Sequence, residues 1–136
     1  MVTRPNGKLE LPGGVTALDE PAVDPAAYHL RRLGLDRRPG PILLVDHMEP
    51  IRLSDDNDRL DFIFYCGKLT PAECEALGAP GLPDDVTAWR FVNLQYYEVG
   101  ITAYHRRCLN AAVTACAAGT GSPYLRNGLR INAVPA

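Results

Sequence analysis

His29 and His47 are the residues best suited to moving protons, because the pKa of an unperturbed imidazole lies near neutrality. His47 follows an apolar run that predicts a strand, and Asp46 directly precedes it. Since strand ends commonly carry site residues, we expect Asp46 and His47 to act together. His29 lies in a predicted short helix and is a second acid–base candidate. For both histidines, an exposed or structural side chain is the alternative.

A group of arginines follows His29 and predicts a site for an anion. Arg31, Arg32, Arg37 and Arg38 all lie near the end of the predicted short helix. Guanidinium groups bind phosphate or carboxylate directly, often with two hydrogen bonds. We assign Arg31 and Arg32 to substrate binding. The alternative is a solvated surface, which the negative end of the helix dipole favours.

Aromatic side chains supply candidates for stacking on a ring in the substrate. Tyr65 and Trp89 are assigned to this role, and Tyr96 and Tyr97 are further candidates. Packing in the core is the alternative for each of them, because buried aromatic rings contribute large apolar areas.

The stretch before the arginines predicts a strand, a glycine turn and a short helix. Lys8 to Leu11 alternates as a strand does, and Pro12-Gly13-Gly14 ends it. Asp24-Pro25 predicts a helix start, with a side-chain cap followed by a proline at the first helical position. Gly34 is a natural helix end. Residues 1–7 predict a polar lead-in that contains an Asn-Gly turn signal.

The rest of the chain predicts further strands and helices. In chain order they begin with a hairpin of strands at 41–45 and 60–69, and a helix from Thr70 to Leu77 whose start, Thr70-Pro71-Ala72-Glu73, has the capping-box pattern. A strand at 87–92 follows, and then a long helix from between Gln95 and Ile101 to about Ala118, whose spacing places Tyr104 on the apolar face. Last comes a hairpin over 123–129 with Asn127-Gly128 at its turn. We therefore predict an α+β fold in which a mixed β-sheet is flanked by the short helix and the long C-terminal helix. The length suits a single domain spanning residues 1–136.

Composition and charge indicate which kinds of partner and location the protein has. Apolar residues make up 46% and charged residues 22%, which is typical of a soluble globular protein. A net charge of −2 and a pI near 5.9 indicate neither a nucleic-acid nor a membrane partner. Residues 1–7 lack the apolar stretch of a signal peptide, so we expect a cytoplasmic protein. The four cysteines form no Cys-x-x-Cys pair, which favours buried reduced thiols.

Residues 9–35 resemble the signature of the Nudix family. The matching positions are Leu11-Pro12-Gly13-Gly14, Glu20, Leu30 and Gly34-Leu35. The downstream chain resembles bacterial members of that family at Val45-Asp46, Asp84-Asp85, Trp89 to Val92 and Tyr124 to Gly128. The resemblance covers the chain from about Lys8 onward.

The resemblance implies a Nudix-like fold and a hydrolase that acts on a small diphosphate- or nucleotide-linked substrate. In that family, carboxylates on the signature helix hold divalent metal ions, which neutralise the diphosphate and activate water. The resemblance therefore implies Mg²⁺ or Mn²⁺ at Glu20, with Asp19, Asp24 or Asp85 as further ligands.

The chain departs from the signature at the positions that would complete such a metal site. His29 and Arg32 stand where the signature has glutamate, and Tyr28 takes the place of its arginine. Arginine repels a divalent cation and binds anions instead. Two further hypotheses follow. One is a metal-independent enzyme of a bacterial small-molecule pathway, in which arginines hold an anionic substrate while His29 or His47 moves protons; the other is a catalytically inactive ligand-binding or regulatory module.

The beginning of the chain also bears on its partners. Members of the Nudix family carry further strands before the signature, whereas this sequence begins almost at it. A sheet that lacks those strands would expose an edge, and exposed edges pair with other chains unless they are covered. We therefore expect a homodimer that covers the edge, with a small anionic molecule as the substrate.

Overall fold

The computed structural model describes residues 1–49, 58–79, 81–96, 98–119 and 121–131. Its elements, in chain order, are β1 (Val2–Thr3), β2 (Leu9–Glu10), α1 (Val23–Arg32), β3 (Ile42–Met48), β4 (Arg59–Phe64), α2 (Pro71–Ala76), β5 (Ala88–Trp89), α3 (Ala103–Ala118), β6 (Tyr124–Arg126) and β7 (Leu129–Arg130). The α+β class is therefore confirmed. Within the described ranges, no helix is long and apolar enough to cross a bilayer.

The strands form two sheets where the sequence predicted one. A three-stranded sheet has the order β2-β1-β5, and a four-stranded sheet has the order β4-β3-β6-β7. The chain divides accordingly into two compact units. The first comprises Met1–Pro41 and Cys66–Thr102, and the second comprises Ile42–Tyr65 and the segment from Ala103 onward. The prediction of a single domain over 1–136 stays a prediction.

The first unit is organised around β1, which lies in the stretch predicted as a polar lead-in. Val2 pairs with Glu10 on one side and with Trp89 on the other, both antiparallel. The Val2 side chain is 1% exposed and packs with Leu33 and Val86. The lead-in prediction was wrong because a strand of two residues is too short for alternation to be visible in the sequence.

Helix α1 begins at Val23, so the prediction that Asp24 caps it was wrong; Asp24 lies inside the first turn. The predicted end at Gly34 is confirmed. Gly34 has φ 91°. Its N–H donates to the carbonyl of Arg31 at 2.9 Å, and the N–H of Leu35 donates to the carbonyl of Leu30 at 3.0 Å. These two bonds form a Schellman motif, which requires a residue that tolerates positive φ.

Helix α2 begins with the predicted capping box. The Thr70 hydroxyl accepts from the N–H of Glu73, and the Glu73 carboxylate accepts from the N–H of Thr70 at 2.7 Å. Arg37 also donates to both oxygens of Glu73, at 2.5 and 2.8 Å. The bond from Arg37 is the largest cause that lowers the pKa of Glu73, to about 2. Arg37 therefore fixes the start of α2.

The second unit contains the predicted hairpins. Strands β3 and β4 pair antiparallel, with Asp46 opposite Asp61, and β6 joins β3 in parallel. The hairpin of β6 and β7 turns at Asn127 and Gly128, whose φ values are 54° and 74°. Positive φ at both central residues is the type I′ geometry that favours Asn-Gly.

Helix α3 packs on β3 and ends at Ala118 as predicted, but it begins at Ala103. The predicted earlier start was wrong for a steric reason. Gly100 has φ 98°, and its carbonyl accepts from the N–H of Leu9 at 3.0 Å. A residue in that conformation cannot continue a right-handed helix. Strand β5 is likewise shorter than the predicted 87–92 and ends at Trp89.

Candidate functional site

A cleft in the first unit collects cationic and polar side chains above an apolar floor. Its floor is formed by Val2, Leu33 and Val86, which belong to the core of that unit. The cleft has about 200 Å³ of empty space, including its open mouth. Its remaining lining residues are Arg4, Pro12, Gly13, His29, Arg32 and Pro83. About 10 Å³ of it admits the centre of a water molecule, which is room for about one water, so a larger anionic group would bind at the open mouth.

Asp85 joins the two arginines of the cleft. Arg4 Nη1 donates to Asp85 Oδ2 at 2.6 Å, and Arg32 Nη2 donates to Asp85 Oδ1 at 2.5 Å. The side chains of Arg4 and Arg32 are 17% and 27% exposed, and that of Asp85 is 46% exposed. The bond from Arg32 is the largest cause that holds the pKa of Asp85 below its usual range. One carboxylate thus accepts from two guanidinium groups.

Arg4 is fixed by the hairpin that carries it. Its Nε donates to Glu10 Oε2 at 3.0 Å, and its Nη2 donates to the carbonyl of Gly13 at 3.1 Å. Arg4 follows β1, and Glu10 ends β2, so the pairing of these strands brings the two side chains together. The guanidinium of Arg4 keeps these two partners independently of Asp85.

His29 lies beside Arg32, and its contacts determine its tautomer. Arg32 Nη1 is 3.3 Å from His29 Nδ1. Because a guanidinium only donates, Nδ1 must be the acceptor, so the proton of the neutral ring is on Nε2. Burial is the largest cause that lowers the pKa of His29, and the charge of Arg32 lowers it further. His29 is therefore a neutral hydrogen-bond donor near pH 7.

The Nε2 atom of His29 points at Gly14. A Cβ atom built on Gly14 would lie 2.3 Å from His29 Nε2, closer than any real contact. A Cβ on Gly13 would meet no described atom within 4 Å. Of these two neighbouring glycines, Gly14 is thus the one that makes room for the imidazole.

Gly14→Ala is expected to displace the His29 ring and break its contact with Arg32. The clash costs about 1 kcal/mol in unfolding free energy. In ¹⁵N-detected NMR of the histidine ring, the Nε2–H tautomer of the wild type gives way to a mixture. The matched control Gly13→Ala is expected to keep the wild-type tautomer and to lose no stability, because nothing lies within 4 Å of the added Cβ. An unchanged His29 spectrum in Gly14→Ala would contradict the assigned geometry.

The structure brings His29, Arg32 and Asp85 together and leaves the other candidates of the first unit outside this cluster. Glu20 Oε2 accepts from the N–H of Ala17 at 2.9 Å within its own loop. Arg31 is exposed on α1. Trp89 is half-buried against the core of the unit, which is the packing alternative to a stacking role.

The second unit holds Asp46, His47 and Tyr65. The structure does not pair Asp46 with His47, because successive strand residues point to opposite faces. Asp46 is fully buried and is 2.7 Å from the Tyr104 hydroxyl, whereas His47 Nε2 is 2.7 Å from Asp58 Oδ2. Tyr65 is 38% exposed, and Tyr97 lies outside the described residues.

Two residues with central contacts were missed by the sequence reasoning, Arg4 and Tyr104. The Asn-Gly signal at 6–7 was the available clue to Arg4, because a hairpin there places Arg4 near Glu10. For Tyr104, the helical spacing indicated an inward direction but not the carboxylate of Asp46 that meets it.

Comparisons with protein-family models, with curated proteins and with solved structures find no match to this chain. Within the described ranges, no group of three or more His, Cys, Asp and Glu side chains is arranged to hold a metal ion.

Proposed function

We propose that this chain is a Nudix-like enzyme that acts on a small diphosphate- or nucleotide-linked substrate and holds the substrate's anionic group with Arg4, Arg32 and His29. The observation that carries the proposal is the bridging of two guanidinium groups by Asp85. This contact supports the view that the arginines are arranged for an oxyanion with two accepting oxygens. The resemblance supplies the substrate class, and the cleft supplies the groups that would bind it.

The two arginines would stabilise negative charge on the substrate's phosphate oxygens. Phosphoryl transfer needs charge stabilisation on the non-bridging oxygens more than covalent help from the protein. Arg4 and Arg32 are mostly buried and are held by other contacts, so they need little reorganisation when a phosphate arrives. Two guanidinium groups in a partly desolvated cleft stabilise the developing negative charge there.

His29 would donate a hydrogen bond from Nε2, because the neutral ring keeps its proton there. Its Nδ1 lone pair is occupied by Arg32, so the ring is not available as a base through that atom. The Nε2–H faces the Gly13-Gly14 turn. In hydrolysis of a diphosphate, this hydrogen bond would stabilise the negative charge on the leaving phosphate oxygen as the P–O bond breaks and water adds to phosphorus, and the proton of that water would pass to solvent.

The residues of the cleft do not fit a divalent metal ion. Both oxygens of Asp85 accept from guanidinium groups, and the two positive charges beside it oppose a cation. A metal site also requires several convergent carboxylates, and Glu20 bonds within its own loop. The proposed mechanism therefore uses no metal ion, and the role of Glu20 as a metal ligand stays a prediction.

The proposal is tested by measuring turnover of a panel of nucleoside diphosphate-linked compounds, in EDTA and with Mg²⁺ or Mn²⁺. Release of phosphate or nucleotide is expected to persist in EDTA. His29→Ala is expected to lower kcat/KM by about tenfold, since a lost hydrogen bond to the leaving oxygen costs about 1.4 kcal/mol. Glu20→Gln, the matched control, is expected to retain wild-type turnover.

Two other outcomes would select the other hypotheses. Turnover that EDTA abolishes and Glu20→Gln removes would establish a metal-dependent Nudix hydrolase and overturn the proposal. Binding of inorganic diphosphate without turnover of any compound would indicate a catalytically inactive ligand-binding module. The contact of Arg32 with the Nδ1 atom of His29 favours that second candidate, because it leaves the imidazole without a basic nitrogen.

The predicted homodimer and cytoplasmic location stay predictions. The edge strand β4 gives the homodimer some support. Leu60 and Phe62 on this strand are 55% and 39% exposed, and an apolar edge favours pairing with another chain.

A further inference from the structure

We propose that Asp85 is a built-in competitor for the substrate: its carboxylate occupies the oxyanion subsite, and a phosphate group binds by displacing it from Arg4 and Arg32. This inference rests on the proposed function, because it concerns the same two arginines. It goes further by assigning an inhibitory role to a residue that the sequence assigned to a metal. It also restricts the chemical class of ligand that enters.

Asp85 makes the hydrogen bonds that a bound anionic ligand would make with the two arginines. Each of its two oxygens accepts from a different guanidinium, at 2.5 and 2.6 Å. Phosphate groups present pairs of oxygens to arginine in the same way. Asp85 therefore uses the donors that an incoming phosphate needs.

Asp85 is also the most exposed member of the cluster. Its side chain is 46% exposed, whereas those of Arg4 and Arg32 are 17% and 27% exposed. Arg4 is held by Glu10 and by the carbonyl of Gly13. Departure of Asp85 therefore leaves the Arg4 guanidinium in place.

Arg32 is held in a comparable way. Its Nη1 contacts His29, and its guanidinium lies 5.6 Å from the centre of the Tyr28 ring, a distance at which a cation and an aromatic face attract. Both arginines thus keep their positions for the ligand after Asp85 has left.

The competition determines the ligand class. A ligand with a single carboxylate only replaces one carboxylate by another, so its binding gains little Coulomb energy over Asp85. A phosphate carries close to two negative charges near pH 7 and three accepting oxygens. The subsite should therefore take a terminal phosphate or diphosphate and reject a simple carboxylate.

The test is calorimetric titration of the full chain with inorganic phosphate and with acetate, at constant ionic strength. The variants are Asp85→Asn and the matched control Asp84→Asn, which removes the same charge from an exposed neighbour. The wild type is expected to bind phosphate and not acetate. Asp85→Asn is expected to bind phosphate about tenfold more tightly, and Asp84→Asn is expected to match the wild type within about twofold.

A second measurement needs no variant and so does not depend on the folding of Asp85→Asn. In ¹³C NMR of the wild type, the Asp85 carboxyl resonance is expected to shift as phosphate saturates the site. Phosphate binding that leaves this resonance unchanged, or that is no tighter in Asp85→Asn than in Asp84→Asn, would overturn the competitor role and leave the proposed function standing. Absence of phosphate binding in every variant would overturn both.

Discussion

Asp46→Ala is expected to lower the free energy of unfolding by about 2–4 kcal/mol, because it removes a buried acceptor that joins three elements and leaves a void in the core. Its side chain is 0% exposed. Asp46 Oδ1 accepts from the N–H of Gly128 at 2.7 Å, and Oδ2 is 2.7 Å from the Tyr104 hydroxyl. Alanine leaves the N–H of Gly128 unsatisfied, leaves the Tyr104 hydroxyl with Asp61 as its remaining acceptor, and opens a void opposite Leu125, which is also fully buried.

The contacts of Asp46 join three elements of the second unit. Asp46 lies on β3, Tyr104 on α3, and Gly128 in the turn between β6 and β7. The hydroxyl of Tyr104 is also 2.8 Å from Asp61 Oδ2, and Arg59 pairs with that second carboxylate. Burial is the largest cause that raises the pKa of Tyr104, so its hydroxyl keeps its proton and remains a donor.

The measurement is urea unfolding followed by circular dichroism. Tryptophan fluorescence is less suitable, because the single tryptophan, Trp89, lies in the first unit. Asp46→Asn keeps an acceptor for the N–H of Gly128 and is expected to cost less, about 1–2 kcal/mol. Asp36→Ala removes an exposed carboxylate and should change stability by no more than about 0.5 kcal/mol. An Asp46→Ala protein whose free energy of unfolding lies within about 1 kcal/mol of the wild-type value would refute this account.

Local signals with a defined stereochemical requirement were read correctly from the sequence. The capping box at Thr70, the helix end at Gly34 and the turn at Asn127-Gly128 each depend on a few neighbouring residues. Their geometry is set within one turn of the chain, so the residue types suffice to predict it.

Features that depend on long-range pairing were missed. The placement of Val2 at the centre of a sheet depends on Trp89 and Glu10, far along the chain. The sequence also predicted one sheet, because nothing in the strand patterns indicates which strands will pair. Register and partner choice come from tertiary packing.

In the candidate site, too, the sequence predicted residues of suitable type but not the long-range contacts between them. The sequence identified His29 and Arg32 from residue type and placed Asp85 near them through the resemblance. It could not supply Arg4, which reaches the cleft through a hairpin, or the hydrogen bonds that turn Asp85 from a metal-ligand candidate into an arginine partner. The fold decides which charged side chains come together, and these side chains determine whether the site attracts an anion or a cation.

Arg32→Leu is expected to weaken binding of inorganic diphosphate by about a hundredfold, or about 2.7 kcal/mol. Arg32 supplies one of the two guanidinium groups of the cleft, and hydrogen bonds between charged groups are worth about 1.5–3 kcal/mol each. The substitution also removes the partner that orients His29. Leucine keeps most of the side-chain volume, so α1 retains its packing.

The helix offers a matched control for this experiment in Arg31→Leu. Arg31 carries the same charge on the same helix but is exposed, whereas Arg32 contacts Asp85. If the whole field of the helix attracts the ligand, both variants lose affinity equally; if the contact geometry matters, Arg31→Leu stays within about twofold of wild type. Arg32→Lys tests the guanidinium geometry apart from the charge, because lysine keeps the charge but cannot donate to Asp85 and His29 from two fixed nitrogens, and its affinity should fall between wild type and Arg32→Leu. Equal losses in Arg31→Leu and Arg32→Leu would show that the cleft is not the binding site.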